Sequence, residues 1–128
     1  MITVVAAVLE RDGHFLVTRR LAGVHLAGMW EFPGGKVDPG ETHATALKRE
    51  LQEELDTDVD VGQLLFDTTH DYGSVAVRLF FYACGLAGTP RPLLGQEMRW
   101  VARRDLVLLG FPEADAELIK RLATSAAL

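Results

Sequence analysis

A chain of 128 residues has room for one hydrophobic core of ordinary size and little room for a second, so a single domain is expected over residues 1–128. With 48% hydrophobic and 24% charged residues, the composition excludes a wholly disordered chain. The formal charge of −5 argues against a stable nucleic-acid partner, whose footprint is basic. It leaves a nucleotide substrate open, because an acidic site recruits a divalent cation that reverses the local field.

From Thr3 to Leu9 the chain is apolar and β-branched; Glu10 to Gly13 interrupt it, and His14 to Arg19 resume the extended pattern, which predicts a β-hairpin. The N-terminus lacks a basic leader and its apolar run is too short to cross a bilayer, so no membrane association and a cytoplasmic location are expected. Arg20 to Met29 read as a loop, Trp30 to Phe32 as a short strand, and Pro33, Gly34 and Gly35 as its stop. Pro39-Gly40 marks a tight turn, after which Thr42 caps a helix running to about Leu55. On that helix Ala44, Leu47, Leu51 and Leu55 form an apolar stripe, with Glu50, Glu53 and Glu54 on the adjacent face.

Beyond the helix, residues 56–73 mix strand propensity with acidic turn residues, Ser74 to Cys84 form a strong strand, and a further strand lies around Arg99 to Val101. Cys84 is the only cysteine, so an intrachain disulfide is impossible, and its apolar setting predicts a buried structural thiol. Pro112 to about Ala123 form a second amphipathic helix with Ala114, Leu118, Ile119 and Leu122 inward, and the tail Ser125 to Leu128 should fray. These elements predict an α/β fold with a mixed sheet between helices.

Three glutamates on one helix are, taken alone, an ordinary solvated face. The preceding loop changes that reading. Residues 34–41, GGKVDPGE, bring two glycines, Lys36 and Glu41 to the start of the same helix, where a backbone carbonyl can join the carboxylates. Only Arg49 is spaced to offset the charge, and hard oxygen ligands of this kind suit magnesium or manganese rather than zinc.

From Gly35 to Glu54, GKVDPGETHATALKRELQEE reproduces a fixed spacing: glycine, five residues, glutamate, seven residues, then Arg-Glu-Leu-any-Glu-Glu. In this the chain resembles the Nudix hydrolases, and WEFPGGK with the hairpin before it is similar to their MutT branch. The resemblance implies cleavage of a nucleoside diphosphate linked to another group, using Mg2+ or Mn2+; in the MutT branch a triphosphate yields the monophosphate and pyrophosphate. It implies Gly35 as a carbonyl ligand, Glu50, Glu53 and Glu54 as metal carboxylates, Arg49 orienting Glu53, and Glu41, with Gly34 and Gly40, as structural residues. Arg20 is implied at substrate phosphate, with Arg19 its competitor. Lys36 is open between a phosphate contact and an ion pair to a glutamate of the motif.

Two positions depart from the family pattern. A glycine usually follows the glutamate pair by two residues, where this chain has Asp56. A late glutamate that reaches the metal or activates water is Leu94 here, within Leu94-Gly95-Gln96-Glu97; either Glu97 takes over or it is a surface residue. At the base end, Asp115 in FPEAD stands where relatives place an asparagine that reads oxidised guanine. Ionised aspartate only accepts hydrogen bonds and favours an edge presenting donors, such as a cytosine amino group or the N–H groups of a purine, unless it merely caps the helix. Trp30, Phe32 and Phe111 are candidates for the wall against the base, with core packing the competing role.

The leading expectation is an enzyme sanitising 8-oxo-dGTP or another modified nucleotide. The alternatives are a CTP or modified-dCTP pyrophosphohydrolase, a hydrolase of another nucleoside diphosphate derivative, and a nucleotide sensor with weak turnover. The expected partner is a small-molecule nucleotide, with the chain a monomer or homodimer.

Overall fold

A computed structural model of the chain describes residues 1–124, so the tail expected to fray lies outside the described residues. β1 (Ile2–Arg11) and β2 (His14–Arg19) form the expected hairpin. Its turn residues, Asp12 and Gly13, both have positive φ, 51° and 75°, the left-handed pair that matches the twist of a two-residue hairpin. β1 also runs parallel to β6 (Ala76–Leu86), which pairs antiparallel with β5 (Val59–Asp71). The sheet order is β3-β2-β1-β6-β5, with β3 (Trp30–Glu31) on β2. β7 (Met98–Ala102) pairs with the other edge of β2. The sheet is mixed, and the chain is α/β as expected.

Alternation along β1 builds the two layers. Val5, Ala7 and Leu9 face α1 (His43–Leu55) with Leu16, Leu47, Leu51 and Leu55, whereas Ala6 and Val8 face α2 (Ala116–Thr124) with Phe15, Val17, Leu118, Ile119 and Leu122. Helices therefore cover both faces.

Several local expectations change. Gly34 and Gly35 do not stop a strand; with Lys36 they form β4 (Gly34–Lys36), antiparallel to β1 through Val4↔Lys36, Val5↔Gly35 and Ala6↔Gly34. A side chain at Gly34 would stand 2.0 Å from the Val5 carbonyl oxygen, so only glycine permits this approach. Gly34→Ala is accordingly expected to lower unfolding stability by more than about 2 kcal/mol in urea denaturation. Residues 56–73 are dominated by one long strand, β5, which absorbs Gly62 through register shifts between Val61 and Phe66.

Ala44 is exposed and Ala46 is buried in its stead. The first helical turn meets the sheet through His43, whose ring packs on Phe80 and Tyr82 at centroid distances of 4.5 and 5.8 Å. The α-helical part of the last element begins at Ala116, because Glu113–Asp115 form a 3-10 turn after Pro112. A 3-10 segment, Arg103–Leu108, was not foreseen. Cys84 is half-buried rather than fully buried, and desolvation pushes its thiol up to about 11, which leaves it unreactive.

Candidate active site

α1 starts at Thr42, whose hydroxyl accepts a hydrogen bond from the Thr45 N–H at 3.1 Å. At about 100° per residue, Glu50 and Glu54 lie at the flank of the buried sector while Glu53 lies farther round. The environments follow: the Glu50 side chain is 16% exposed and that of Glu53 59%. Burial raises the Glu50 carboxyl despite the opposing pull of Arg49. Glu54 is pushed up to about 8, first by burial and then by the charges of Glu31 and Glu50, with a hydrogen bond from the Gly34 N–H working against both. A Cβ at Gly35 would stand 2.3 Å from the Glu50 carboxyl carbon, so the glycine makes the space that this carboxylate fills.

Arg49 is the hub of the turn between β4 and α1. Its guanidinium donates to both oxygens of Glu41 at 2.8 and 2.9 Å, to Glu50 at 2.9 Å and to the Lys36 carbonyl at 3.0 Å. Contact with Glu53 is looser, at 3.4 Å. Glu41 also accepts from the Asp38 N–H at 2.8 Å, and these bonds hold its carboxyl at about 2. All its strong partners are protein groups, so it locks the loop. Gly40 turns that loop with φ +84°.

A cavity of about 480 Å3 opens beside this turn. Glu50, Glu54, Gly34, Gly35 and Lys36 line it together with Arg20, Glu31, Phe32, Tyr72 and Asp115. Lys36 is exposed and forms no ion pair among the described residues. Arg20 is anchored, donating to the His25 carbonyl at 2.6 Å and to Glu31 at 2.7 Å. Asp115 is 4% exposed and its carboxylate accepts no hydrogen bond among the described residues, so it is not a helix cap. Burial, then the charge of Glu31, pushes it up to about 7.

The proposed aromatic wall is reduced to Phe32. Trp30 lies outside the cavity beneath the guanidinium groups of Arg19 and Arg99, at 5.7 and 5.0 Å, because alternation in β3 turns it away from Glu31. Phe111 packs behind Phe32 with ring centroids 5.5 Å apart. Glu31 and Tyr72 were missed by sequence reasoning. Glu31 had only its alternation with Trp30 as a signal, and Tyr72, met edge-on by His25 at 4.8 Å, comes from a distant hairpin.

The profile of the NUDIX domain matches residues 4–121. The chain belongs to the Nudix family. An 8-oxo-dGTP diphosphatase of Haemophilus influenzae is 40% identical over 124 residues, covering 95% of this chain and 91% of the relative. A CTP pyrophosphohydrolase of Escherichia coli is 35% identical over 121 residues, covering 94% and 90%. A solved MutT structure, reported for Aliivibrio salmonicida and Vibrio cholerae, aligns with a TM-score of 0.81 at 30% identity over 97% of both chains.

Nudix hydrolases generally need a divalent metal. The donor set suits a hard cation: the Glu50 and Glu54 carboxylates line the cavity with Gly35, whose missing Cβ leaves the room that Glu50 fills, while Glu53 lies on the same helix outside the cavity lining. Among the described residues no three His, Cys, Asp or Glu side chains converge on one point, because Glu50 and Glu53 turn onto Arg49. No helix among them is long and apolar enough to cross a membrane.

Both departures from the Nudix pattern have a structural answer. Asp56 adopts the left-handed conformation usual for glycine, φ 52°, and pairs with Arg91. Leu94 borders a smaller cavity of about 160 Å3 shared with Glu54, Glu31 and Arg20. Glu97 does not replace it. It pairs with Arg99 at 3.1 Å and Arg19 at 3.5 Å, outside both cavities, whereas Gln96 beside it turns to the Glu54 carbonyl.

Proposed function

We propose that this chain is a Mg2+-dependent nucleoside triphosphate pyrophosphohydrolase of one domain, releasing a nucleoside monophosphate and pyrophosphate, and that it sanitises 8-oxo-dGTP or a related modified nucleotide. The observation that carries this reading is one cavity lined both by the helix carboxylates Glu50 and Glu54 and by Asp115, a buried residue whose carboxylate accepts no hydrogen bond among the described residues. The first suits a metal-bridged polyphosphate and the second a nucleobase edge. A divalent cation held by Glu50, Glu53, Glu54 and the Gly35 carbonyl supplies a Lewis acid that neutralises phosphate charge and makes water a stronger nucleophile.

The remaining work falls to this chain's own groups. Arg49 holds Glu50 and restrains Glu53, placing a fixed positive charge beside both side chains. Lys36, exposed at the cavity and unpaired among the described residues, receives a phosphate oxygen. Arg20, tied to the His25 carbonyl and to Glu31, presents a pre-oriented guanidinium edge. Phe32 closes the apolar side, and Asp115 accepts a hydrogen bond from the base.

That acceptor is also the specific reason for a second reading, in which cytidine triphosphates are preferred, since the cytosine amino group is a donor. Initial rates with 8-oxo-dGTP, dGTP, CTP, 5-methyl-dCTP, an ADP-sugar and a dinucleoside polyphosphate, with Mg2+ and with chelator, separate the two. Mg2+-dependent pyrophosphate release from one triphosphate is expected. Glu53→Gln should slow it on the order of a hundredfold, roughly 3 kcal/mol of transition-state stabilisation. Binding without turnover on every compound would favour the sensor instead, with Leu94 its first cause.

A further inference from the structure

We infer that Gln96 is a positioning residue for Glu54, and that residues 91–96 form an external cap on the end of the helix that carries it. The inference rests on the proposed role of Glu54 at the metal.

The last carbonyls of any helix lack intrahelical donors, and the last turn frays unless something else donates to them. Glu54 sits in that turn, one residue before the end of α1. The segment crosses it: the Arg91 N–H donates to the Leu55 carbonyl at 2.7 Å and the Leu93 N–H to the Glu54 carbonyl at 3.0 Å. The Gln96 side chain, 8% exposed, then adds a second donor to the Glu54 carbonyl through Nε2 at 3.1 Å, while its Oε1 accepts from the Leu94 N–H at 2.9 Å. The orientation of the amide is fixed by chemistry, since a carbonyl needs the NH2 group and an N–H needs the oxygen.

Two backbone donors would be enough to stop fraying. The buried amide goes further: it holds the peptide plane of Glu54, whose side chain lines the cavity beside Glu50 and Gly34. Fixing that backbone fixes where the side chain starts, which is how a ligand is kept in a productive geometry. Arg91 supports the same turn separately, through its pair with Asp56.

The test uses Gln96→Met, similar in size and without the amide, with Arg91→Met as a control that loosens the segment and keeps both Gln96 bonds. Mn2+ binding is followed by electron paramagnetic resonance, amide exchange at Leu55 and Asp56 by NMR, and kcat and KM by pyrophosphate release. Q96M is expected to weaken Mn2+ about tenfold, lower kcat by a similar factor, speed exchange at both amides and leave the nucleotide KM within about twofold. R91M should lower the melting temperature without weakening Mn2+. Adding Asp56→Gly, which ends a helix without strain, should restore part of the Mn2+ affinity lost in Q96M.

Should Q96M fail to fold, Gln96→Asn, too short to reach both partners, carries the same expectations. Unchanged Mn2+ affinity in the folded Gln96 variant, or a loss no larger than in R91M, overturns the inference. Glu54→Gln separates the two levels: if that variant binds Mn2+ like the wild type, the assignment of Glu54 fails, while the exchange data still decide whether Gln96 holds the turn.

Discussion

Glu54→Gln is expected to reduce hydrolysis by roughly a thousandfold or more, about 4 kcal/mol of transition-state stabilisation, while the metal-free protein becomes more stable than the wild type at pH 9. The opposite signs share one cause. Glu54 is largely desolvated and faces Glu31 and Glu50, so its carboxyl is raised from the usual 4.5 to about 8. A folded-state value above the unfolded one means that stability from this group is complete below about 4.5 and is lost as the pH rises through about 8. Glutamine keeps the side-chain length and never ionises, so it escapes that loss. It also cannot provide an anionic ligand. Urea denaturation of both proteins in chelator at pH 5 and pH 9, beside kcat in saturating Mg2+, checks both halves. A variant that loses activity together with stability at pH 9 would mean that Glu54 serves the fold rather than the chemistry.

Asp115→Asn should change both the pH dependence of stability and the choice of base. The aspartate is raised from 3.8 to about 7, chiefly by burial and secondarily by Glu31. Its contribution is therefore intact below about 4 and is lost as the pH rises to about 7, a loss on the order of 4 kcal/mol. The difference in unfolding free energy between variant and wild type should move in the variant's favour across that window and level off above it. Glu41, held at about 2 by Arg49, acts in the other direction, its stabilisation being lost as the pH falls through the acid range. It is present in both proteins and cancels in the difference. In substrate terms the amide both donates and accepts, whereas the ionised carboxylate only accepts. We expect kcat/KM for the triphosphate that donates to Asp115 to fall ten- to a hundredfold, about 1.4 to 3 kcal/mol. An unchanged ranking of bases would remove Asp115 from recognition.

The chemistry-bearing part of this protein was legible in the chain because it is local. One helix of 13 residues carries Arg49, Glu50, Glu53 and Glu54, and helical geometry alone groups them. The loop before it supplies Gly34, Gly35 and Glu41 within a few residues of the helix start, so spacing is enough to pair them with that face. The hairpin and the alternating strands were readable for the same reason, since period-two patterning reports burial directly.

What lay outside that reach depends on elements far apart in sequence. Gly34 and Gly35 looked like a strand stop because their propensity is low, yet pairing with β1 overrides propensity where only a missing Cβ permits the approach. Ala44 fits the apolar stripe by angle, but burial requires a surface opposite, and His43 occupies it. The cavity joins β1, β3, β4, α1 and β6 with the loop after β2, the β5–β6 turn and the segment before α2, so Glu31, Tyr72 and Asp115 meet only once the sheet has formed. Glu97 and Gln96, neighbours in the chain just before β7, go to different partners, one to an exposed pair of arginines and the other to the carbonyl of Glu54. Local spacing and periodicity were enough for the acidic helix, its glycine loop and the family; which carboxylates are desolvated, which of the candidate aromatic side chains faces the cavity and what holds the end of the helix follow from packing, because burial and long-range hydrogen bonds depend on what lies opposite a residue.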